Sequence, residues 1–299
     1  MRSAVPSIGT VLLDVNGTLL PAGSSAHSSR RGWDRLRDAL GPLHADGLTV
    51  GLCSDSPLEQ LREFGRQIGL GTATTFPVVA ENGNVISLDG GIRVMAPFPA
   101  AASVRALISE IAAAHGLEQL QDAPAPEFGG TPVTPRTWAF GENRRASVSV
   151  FAPPSLVTAA ARALGSWARD HGIELGLDRS PRRCFLGVHP YTPYRTGKRR
   201  TLEVLAGEGH RPLMVGDSLS DWVPPGRGVR CAFVGDATVP EPVRASAWFA
   251  STLPGPDGVV DVLRRVAAMR RATAVRRATA VRHRFEPCRE EAPPSDSKE

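Results

Sequence analysis

Three polar side chains stand at the ends of short apolar runs: Asp14 after Thr10 to Leu13, Ser54 after Leu48 to Cys53, and Asp217 after Pro212 to Gly216. A run too short for a helix that breaks into a loop reads as a buried strand. In an open parallel sheet, ligands bind beyond the carboxyl ends of such strands. Two acids at neighbouring strand ends repel each other unless a cation lies between them, and a hard divalent ion with oxygen ligands, best magnesium, is the usual solution. Gly17 and Thr18, just after Asp14, are small enough for the backbone to turn closely around an anion. Ser54 offers a hydroxyl ahead of a helix start at Pro57, whose free N–H groups favour phosphate oxygens. Asp221 follows Asp217 by four residues in a loop, a spacing that suits one acid on a cation and a second supporting it.

A lysine completes the set. Of 35 cationic residues only Lys198 and Lys298 are lysines, so arginine is used almost wherever a cation will do and a lysine inside the fold stands out. Lys198 opens a helix in Arg195-Thr-Gly-Lys198, where a compact ammonium can neutralise a carboxylate and a phosphoryl oxygen together.

The elements that must position these residues alternate. Strand-like runs end at Asp14, Ser54, Ala80, Asp217 and Gly235, and helical patterns cover Trp33 to His44, Leu58 to Ile68 and Gly197 to Leu205. Continuous apolar strands alternating with helices predict an α/β core on a mostly parallel, doubly wound sheet of five or six strands. Residues 90–188 break the rhythm with a helix at Ala101 to His115, a proline- and glycine-rich loop at Pro124 to Pro135 and an alternating strand at Ala146 to Phe151. A long helix at Ser155 to His171 and strands near Ile173 to Leu177 and Arg183 to Val188 follow. That pattern predicts an α+β cap over the site, inserted after the third strand into a core of residues 1–89 and 189–265.

Residues 266–299 read as a basic helical extension and a disordered tail. The repeat Arg270-Arg-Ala-Thr-Ala-Val275, then Arg276-Arg-Ala-Thr-Ala-Val281, has a period of six, neither a solenoid unit nor a heptad. Residues 264–289 hold nine arginines and one glutamate, a net of +8, which leaves −3 for the rest of a chain whose total is +5. The high pI therefore belongs to a solvated tail, and a nucleic-acid partner is not expected; nonspecific attraction to nucleic acid or anionic lipid is the alternative for that tail. Hydrophobic and charged contents of 41% and 22% are those of a globular protein able to bury a core. Without a membrane-length apolar run or a signal-like start, the chain reads as cytoplasmic. Cys53, Cys184, Cys231 and Cys288 lack a CxxC pair and read as reduced thiols, and the histidines, His27, His189 and His210 among them, lack metal-ligand spacing.

The motifs in order, Asp14-Val-Asn-Gly-Thr-Leu19, Ser54, Lys198 and Gly216-Asp217-Ser218-Leu219-Ser220-Asp221, resemble the haloacid dehalogenase superfamily, in its large-capped sugar-phosphatase-like branch (Cof-type and sucrose-phosphatase-like). Glu81-Asn82-Gly83, Val234-Gly235-Asp236-Ala237 and Asp257-Gly258-Val259 add to the likeness, which covers about residues 8 to 265. The resemblance implies a Rossmann-like core and a magnesium-dependent phosphatase acting on a small phosphorylated metabolite such as a sugar phosphate. Asp14 would be the nucleophile that forms an aspartyl-phosphate. Magnesium would be held by Asp14, Asp217 and the backbone carbonyl of Asn16, with Asp221 in support directly or through water. Asn16, Gly17, Ser54, Asp55 and Lys198 would bind the phosphate, and Asn16, Ser54 and Lys198 would join Asp14 as catalytic residues.

Position 16 departs from the family pattern. Its phosphatases carry a second aspartate two residues after the nucleophile, as general acid and base, and this chain has Asn16. An amide has no proton to exchange near neutral pH, and such a role is typically worth about 10²- to 10⁴-fold in rate. Three readings stay open: hydrolysis that is slow or favours good leaving groups, with Asp55 or a cap residue substituting; phosphoryl transfer, as in a phosphotransferase or mutase; and a phosphate-ligand binding or regulatory protein. Arg136, Arg144 and Arg145 in the insertion are candidates for gripping an anionic substrate, and Tyr191 and Tyr194 for lining the pocket.

Overall fold

The computed structural model describes residues 8–20, 30–71, 75–130, 132–180, 184–191 and 197–285. In chain order, strand β1 (Thr10–Leu13) leads through helix α1 (Arg30–Ala45), β2 (Thr49–Cys53) and α2 (Leu58–Gln67) to β3 (Val78–Ala80), and a hairpin of β4 (Val85–Leu88) and β5 (Gly91–Val94) follows. The second run is α3 (Ala101–Ala114), β6 (Glu118–Gln119), β7 (Thr137–Phe140), β8 (Val148–Phe151), α4 (Pro154–Asp170), β9 (Leu175–Ser180) and β10 (Phe185–Pro190). The chain then returns through α5 (Gly197–Gly207), β11 (Pro212–Gly216), β12 (Arg230–Phe233), α6 (Glu241–Ser246), β13 (Phe249–Ala250) and α7 (Gly255–Phe285).

The larger sheet has eight strands in the order β13-β12-β11-β1-β2-β3-β4-β5. Its first six are parallel, and β4 and β5 add an antiparallel edge. Alternation along β1 explains the double winding. Val11 and Leu13 pack with residues of α1, α2 and α7 on one face, Trp33, Leu36, Phe64, Val262 and Leu263 among them. Leu12 packs with Met214, Phe233, Leu202 and Leu205 on the other. Each fully buried side chain of this size contributes about 1.5–3 kcal/mol relative to leaving it in water. Strand order reverses between β1 and β11, so a crevice opens at their carboxyl ends.

The smaller sheet runs β6-β7-β8-β10-β9. Its Val148, Val150, Leu186 and Val188 pack under Val104 and Ile108 of α3 and Leu156, Val157, Ala160 and Leu164 of α4. The opposite face is left for the larger sheet's crevice.

Two boundaries differ from the sequence expectation. Strand β5, assigned there to the insertion, pairs with β4 at the edge of the core sheet; the hairpin turns on Asp89 and Gly90 at φ 50° and 80°, the left-handed pair a two-residue turn needs. The insertion thus follows the fifth strand in chain order, not the third. At the other end, Val266 and Ala267 of α7 are buried in the main core. Arg270, the first residue of the repeat, donates to the carbonyls of Ile8 at 3.1 Å and Asp46 at 2.5 Å, so the basic helix starts docked rather than solvated. Glu286 to Glu299, like His27, Tyr194 and Cys288, lie outside the described residues. Among the described residues no helix is long and apolar enough to cross a membrane.

Candidate active site

The crevice gathers the strand-terminal residues. Asp14 continues β1, its N–H bonded to the Val215 carbonyl at 2.8 Å, and Asp217 follows β11 directly. Parallel pairing aligns Leu13 with Val215, which brings the two acids side by side. Thr18 Oγ1 lies between them, 3.3 Å from Asp14 Oδ2 and 3.1 Å from Asp217 Oδ1. The turn that delivers Thr18 depends on Gly17: at φ 92°, a Cβ there would stand 2.2 Å from Asp217 Oδ2, so both conformation and space demand glycine.

Lys198, buried at the start of α5, donates to Asp14 Oδ1 at 2.5 Å and to Asp221 Oδ1 at 2.7 Å. The other oxygen of Asp221, Oδ2, accepts from the backbone N–H groups of Asp217 and Ser218 and from the Ser218 hydroxyl at 3.0 Å. Both oxygens of Asp221 are therefore engaged, as supports for Lys198 and for the loop that carries Asp217. Burial works against the ammonium charge of Lys198, but Asp14 and Asp221 more than offset it and hold its pKa well above the ordinary lysine value. Burial, with the charges of Asp221 and Asp217, holds Asp14 well above the usual carboxylate range despite Lys198. Burial and Asp221 likewise raise Asp217.

Asp14, Asp217 and Asp221 can bring one carboxylate oxygen each within 4.8 Å of one another, the only such group of His, Cys, Asp or Glu side chains among the described residues. Crowded, proton-favouring carboxylates with a single ammonium among them are a donor set that a hard divalent cation fits. Cys53 behind them is kept a thiol by burial, which removes it as a nucleophile.

Ser54, fully buried at the end of β2, donates to Asp55 Oδ1 at 3.1 Å, and the Asn16 amide donates to the same oxygen at 3.1 Å. Asn16, Ser54 and Asp55 thus form one cluster beside Asp14, with Asp55 reaching into the cleft under the smaller sheet. Of the insertion's arginines, Arg144 lines that cleft and donates to the Asp55 carbonyl at 2.6 Å. Arg145 pairs outside with Glu59, and Arg136 is exposed at the sheet edge. Tyr191 is 46% exposed, and Arg195 and Thr196 lie outside the described residues.

The contacts of Glu81 and the place of Asp178 escaped the sequence reading. Glu81, 1% exposed, accepts from the N–H groups of Arg145 and Ala146 and from the Ser147 hydroxyl, which ties the smaller sheet to the core. These bonds offset the cost, of order 1–3 kcal/mol, of holding a non-glycine residue at φ 50°. The same turn, Glu81–Gly83, seats α5: Thr201 donates to the Gly83 carbonyl at 2.6 Å, and a Cβ on Gly83 would meet the backbone nitrogen of Lys198 at 2.8 Å. Asp178 Oδ2 lies 3.1 Å from Asn82 Nδ2 and 3.2 Å from His189 Nε2. No spacing marks Asp178, because its partners come from another sheet and another strand.

No protein-family model matches the chain, and no curated protein does. Solved structures do. A haloacid dehalogenase-like hydrolase from Bacteroides thetaiotaomicron superposes with a TM-score of 0.60 at 17% identity, covering 87% of this chain and 100% of its own. A sugar phosphatase of subclass IIB of that superfamily gives 0.54 at 14% identity, covering 86% and 98%. A superfamily phosphatase from B. thetaiotaomicron gives 0.52 at 19%, covering 89% and 99%. At these identities the likeness speaks for the fold, cap included.

Proposed function

We propose, from the fold this chain shares with haloacid dehalogenase-like hydrolases, that it is a cytoplasmic magnesium-dependent phosphatase acting on a small phosphorylated metabolite through an aspartyl-phosphate at Asp14. The observation that carries this reading is the buried contact of Lys198 with Asp14 and Asp221, beside a third acid at the next strand end. Nothing in the packing of an α/β core requires a lysine and three acids to be desolvated together, and removing any one partner would leave an uncompensated charge.

In this reading Asp14, Asp217 and the Asn16 backbone carbonyl hold the magnesium ion, and Asp221 acts through its grip on Lys198 and the Asp217 loop. Bound there, the ion supplies positive charge to phosphoryl oxygens. The chain's own residues do the rest. Thr18 fixes the spacing of the two acids, and Lys198 neutralises charge on Asp14 and on the phosphoryl group. Ser54 and the Gly17 turn orient the phosphate. Asp14 attacks phosphorus, the ester P–O bond breaks, and water then hydrolyses the acyl phosphate and regenerates the carboxylate.

Asn16 cannot give the departing oxygen its proton. We assign that role to Asp55, whose Oδ1 is held by the Asn16 amide and Ser54 and whose Oδ2 takes no hydrogen bond among the described residues. Phosphate release from p-nitrophenyl phosphate with magnesium tests the reading, because that leaving group needs little protonation. Wild-type protein should release phosphate, and Asp14→Asn should lose at least about 10⁴-fold with its circular dichroism unchanged. A folded wild type that binds phosphate esters saturably without turnover would make it a binding protein instead.

A further inference from the structure

The underside of the cap sheet is built by alternation. Register pairs Gly176 with His189, Asp178 with Gly187 and Ser180 with Phe185, so these six share one face. The alternate residues Leu177, Leu186 and Val188 belong to the apolar core under α3 and α4. Asp178, Phe185, Gly187 and His189 therefore project to the crevice, and with Asp55, Glu81, Asn82, Arg144 and Ser147 they line it.

Asp178 is held from two sides. The His189 ring lies over Gly176, where a Cβ would come within 2.0 Å of its Cε1, so only glycine at that position leaves room for the imidazole in this seat. Its Nε2 and the Asn82 amide both take Asp178 Oδ2, and Oδ1 has no partner among the described residues. Burial pushes the Asp178 carboxyl up, but the bonds from His189 and Asn82, with the charge of Lys198, bring it below the usual carboxylate range. Beside it Gly187 leaves bare floor: a Cβ there would stand 3.2 Å from the Phe185 ring and 3.5 Å from Asp178 Cβ. The result is a fixed carboxylate with a spare acceptor oxygen next to an aromatic ring, in a cleft lined by three carboxylates and one guanidinium.

We propose that Asp178 selects the leaving group: its carboxylate accepts hydrogen bonds from leaving-group hydroxyls and turns away a leaving group that carries a second negative charge. This rests on the phosphatase reading above. Phe185 supplies an apolar face for the carbon skeleton, and His189 is a positioning residue that orients the carboxylate. A hydroxyl bonded to a fixed, ionised acceptor is worth about 10- to 100-fold in affinity, and a second phosphate pays Coulomb repulsion in a partly desolvated cleft.

The test uses the full chain with magnesium and p-nitrophenyl phosphate as reporter substrate. Sorbitol 6-phosphate and fructose 1,6-bisphosphate are measured as competitors. Wild type should bind the monophosphate at least about tenfold more tightly than the bisphosphate. Asp178→Asn should weaken sorbitol 6-phosphate by about 10- to 100-fold beyond any change in the KM of the reporter, and should tighten the bisphosphate. Asn82→Ala, which removes the bond to the core but keeps the carboxylate, should leave the order of the two competitors as in wild type. An unchanged competitor ratio in Asp178→Asn, or the same pattern from Asn82→Ala, would make Asp178 a clasp between cap and core and overturn the proposal. Wild type that fails to hydrolyse the reporter would instead overturn the phosphatase reading, and this inference with it.

Discussion

The two faces of the crevice are built on opposite terms. On the core side, Asp14, Lys198 and Asp221 are buried, each of their charged groups is bonded to another of the three or to Thr18, Asp217 or Ser218 beside them, and the glycines at 17 and 216 leave no room for a side chain. On the cap side, Asp178 is half exposed, one of its oxygens is uncommitted, and Gly187 leaves space that a side chain could enter with small shifts. The contrast teaches where change is tolerated. A closed network of buried charge fails when any member is removed, whereas an open polar face can be altered one residue at a time.

Breaking the core network should give the largest effect. Lys198→Ala leaves two buried carboxylates facing each other, and equilibrium unfolding in urea without metal should show a loss of about 3–5 kcal/mol, with activity at background. Asn16→Asp asks whether the core side lacks only an acid. The new carboxylate would lie against Asp55, where the amide now donates, so one of the two must hold a proton. Turnover of alkyl phosphates should rise by about tenfold or more, and p-nitrophenyl phosphate should gain far less. No gain on alkyl esters, with magnesium bound, would show the site adapted to another reaction.

A third measurement compares the faces through pH. Asp14 and Asp217 are held above the ordinary carboxylate value, so the metal-free folded state keeps protons that the unfolded chain releases. Their contribution to stability is complete below the ordinary value of 3.8 and is lost as pH rises through the folded values. Magnesium should accordingly raise Tm clearly at pH 7 and little at pH 4. Asp178, held low, has the reverse sign: its contribution is present above the ordinary value and lost on acidification. An equal magnesium shift at both pH values would break the comparison. The smallest effect belongs to Arg145→Ala, which deletes an ion pair with Glu59 whose side chains are 44% and 39% exposed; the cost in unfolding free energy should stay within about 0.2–1 kcal/mol.

The core side was largely legible because strand ends advertise themselves. An apolar run stopping at Asp14, Ser54 or Asp217 fixes both element and exit, and the scarcity of lysine singled out Lys198. The hairpin of β4 and β5 carried a usable signal in Asp89-Gly90, obscured because Val85 to Val94 sits where the chain leaves the parallel pattern. Asp178 had no such signal. Its importance comes from register with Gly187, a histidine eleven residues on and an amide from the other sheet, none of which a linear pattern records. The engagement of both Asp221 oxygens was equally hidden, since the motif gives an acid at that position but not the direction it faces.

The turn at Glu81 to Gly83 has a mechanical consequence. One side of it grips the cap through the Glu81 carboxylate, and the other bears on α5, the helix that carries Lys198. Three successive left-handed residues make it a stiff corner rather than a slack strap. It couples the two sheets through one corner: the turn that holds Arg145 to Ser147 of the cap is the same one that seats the helix carrying Lys198.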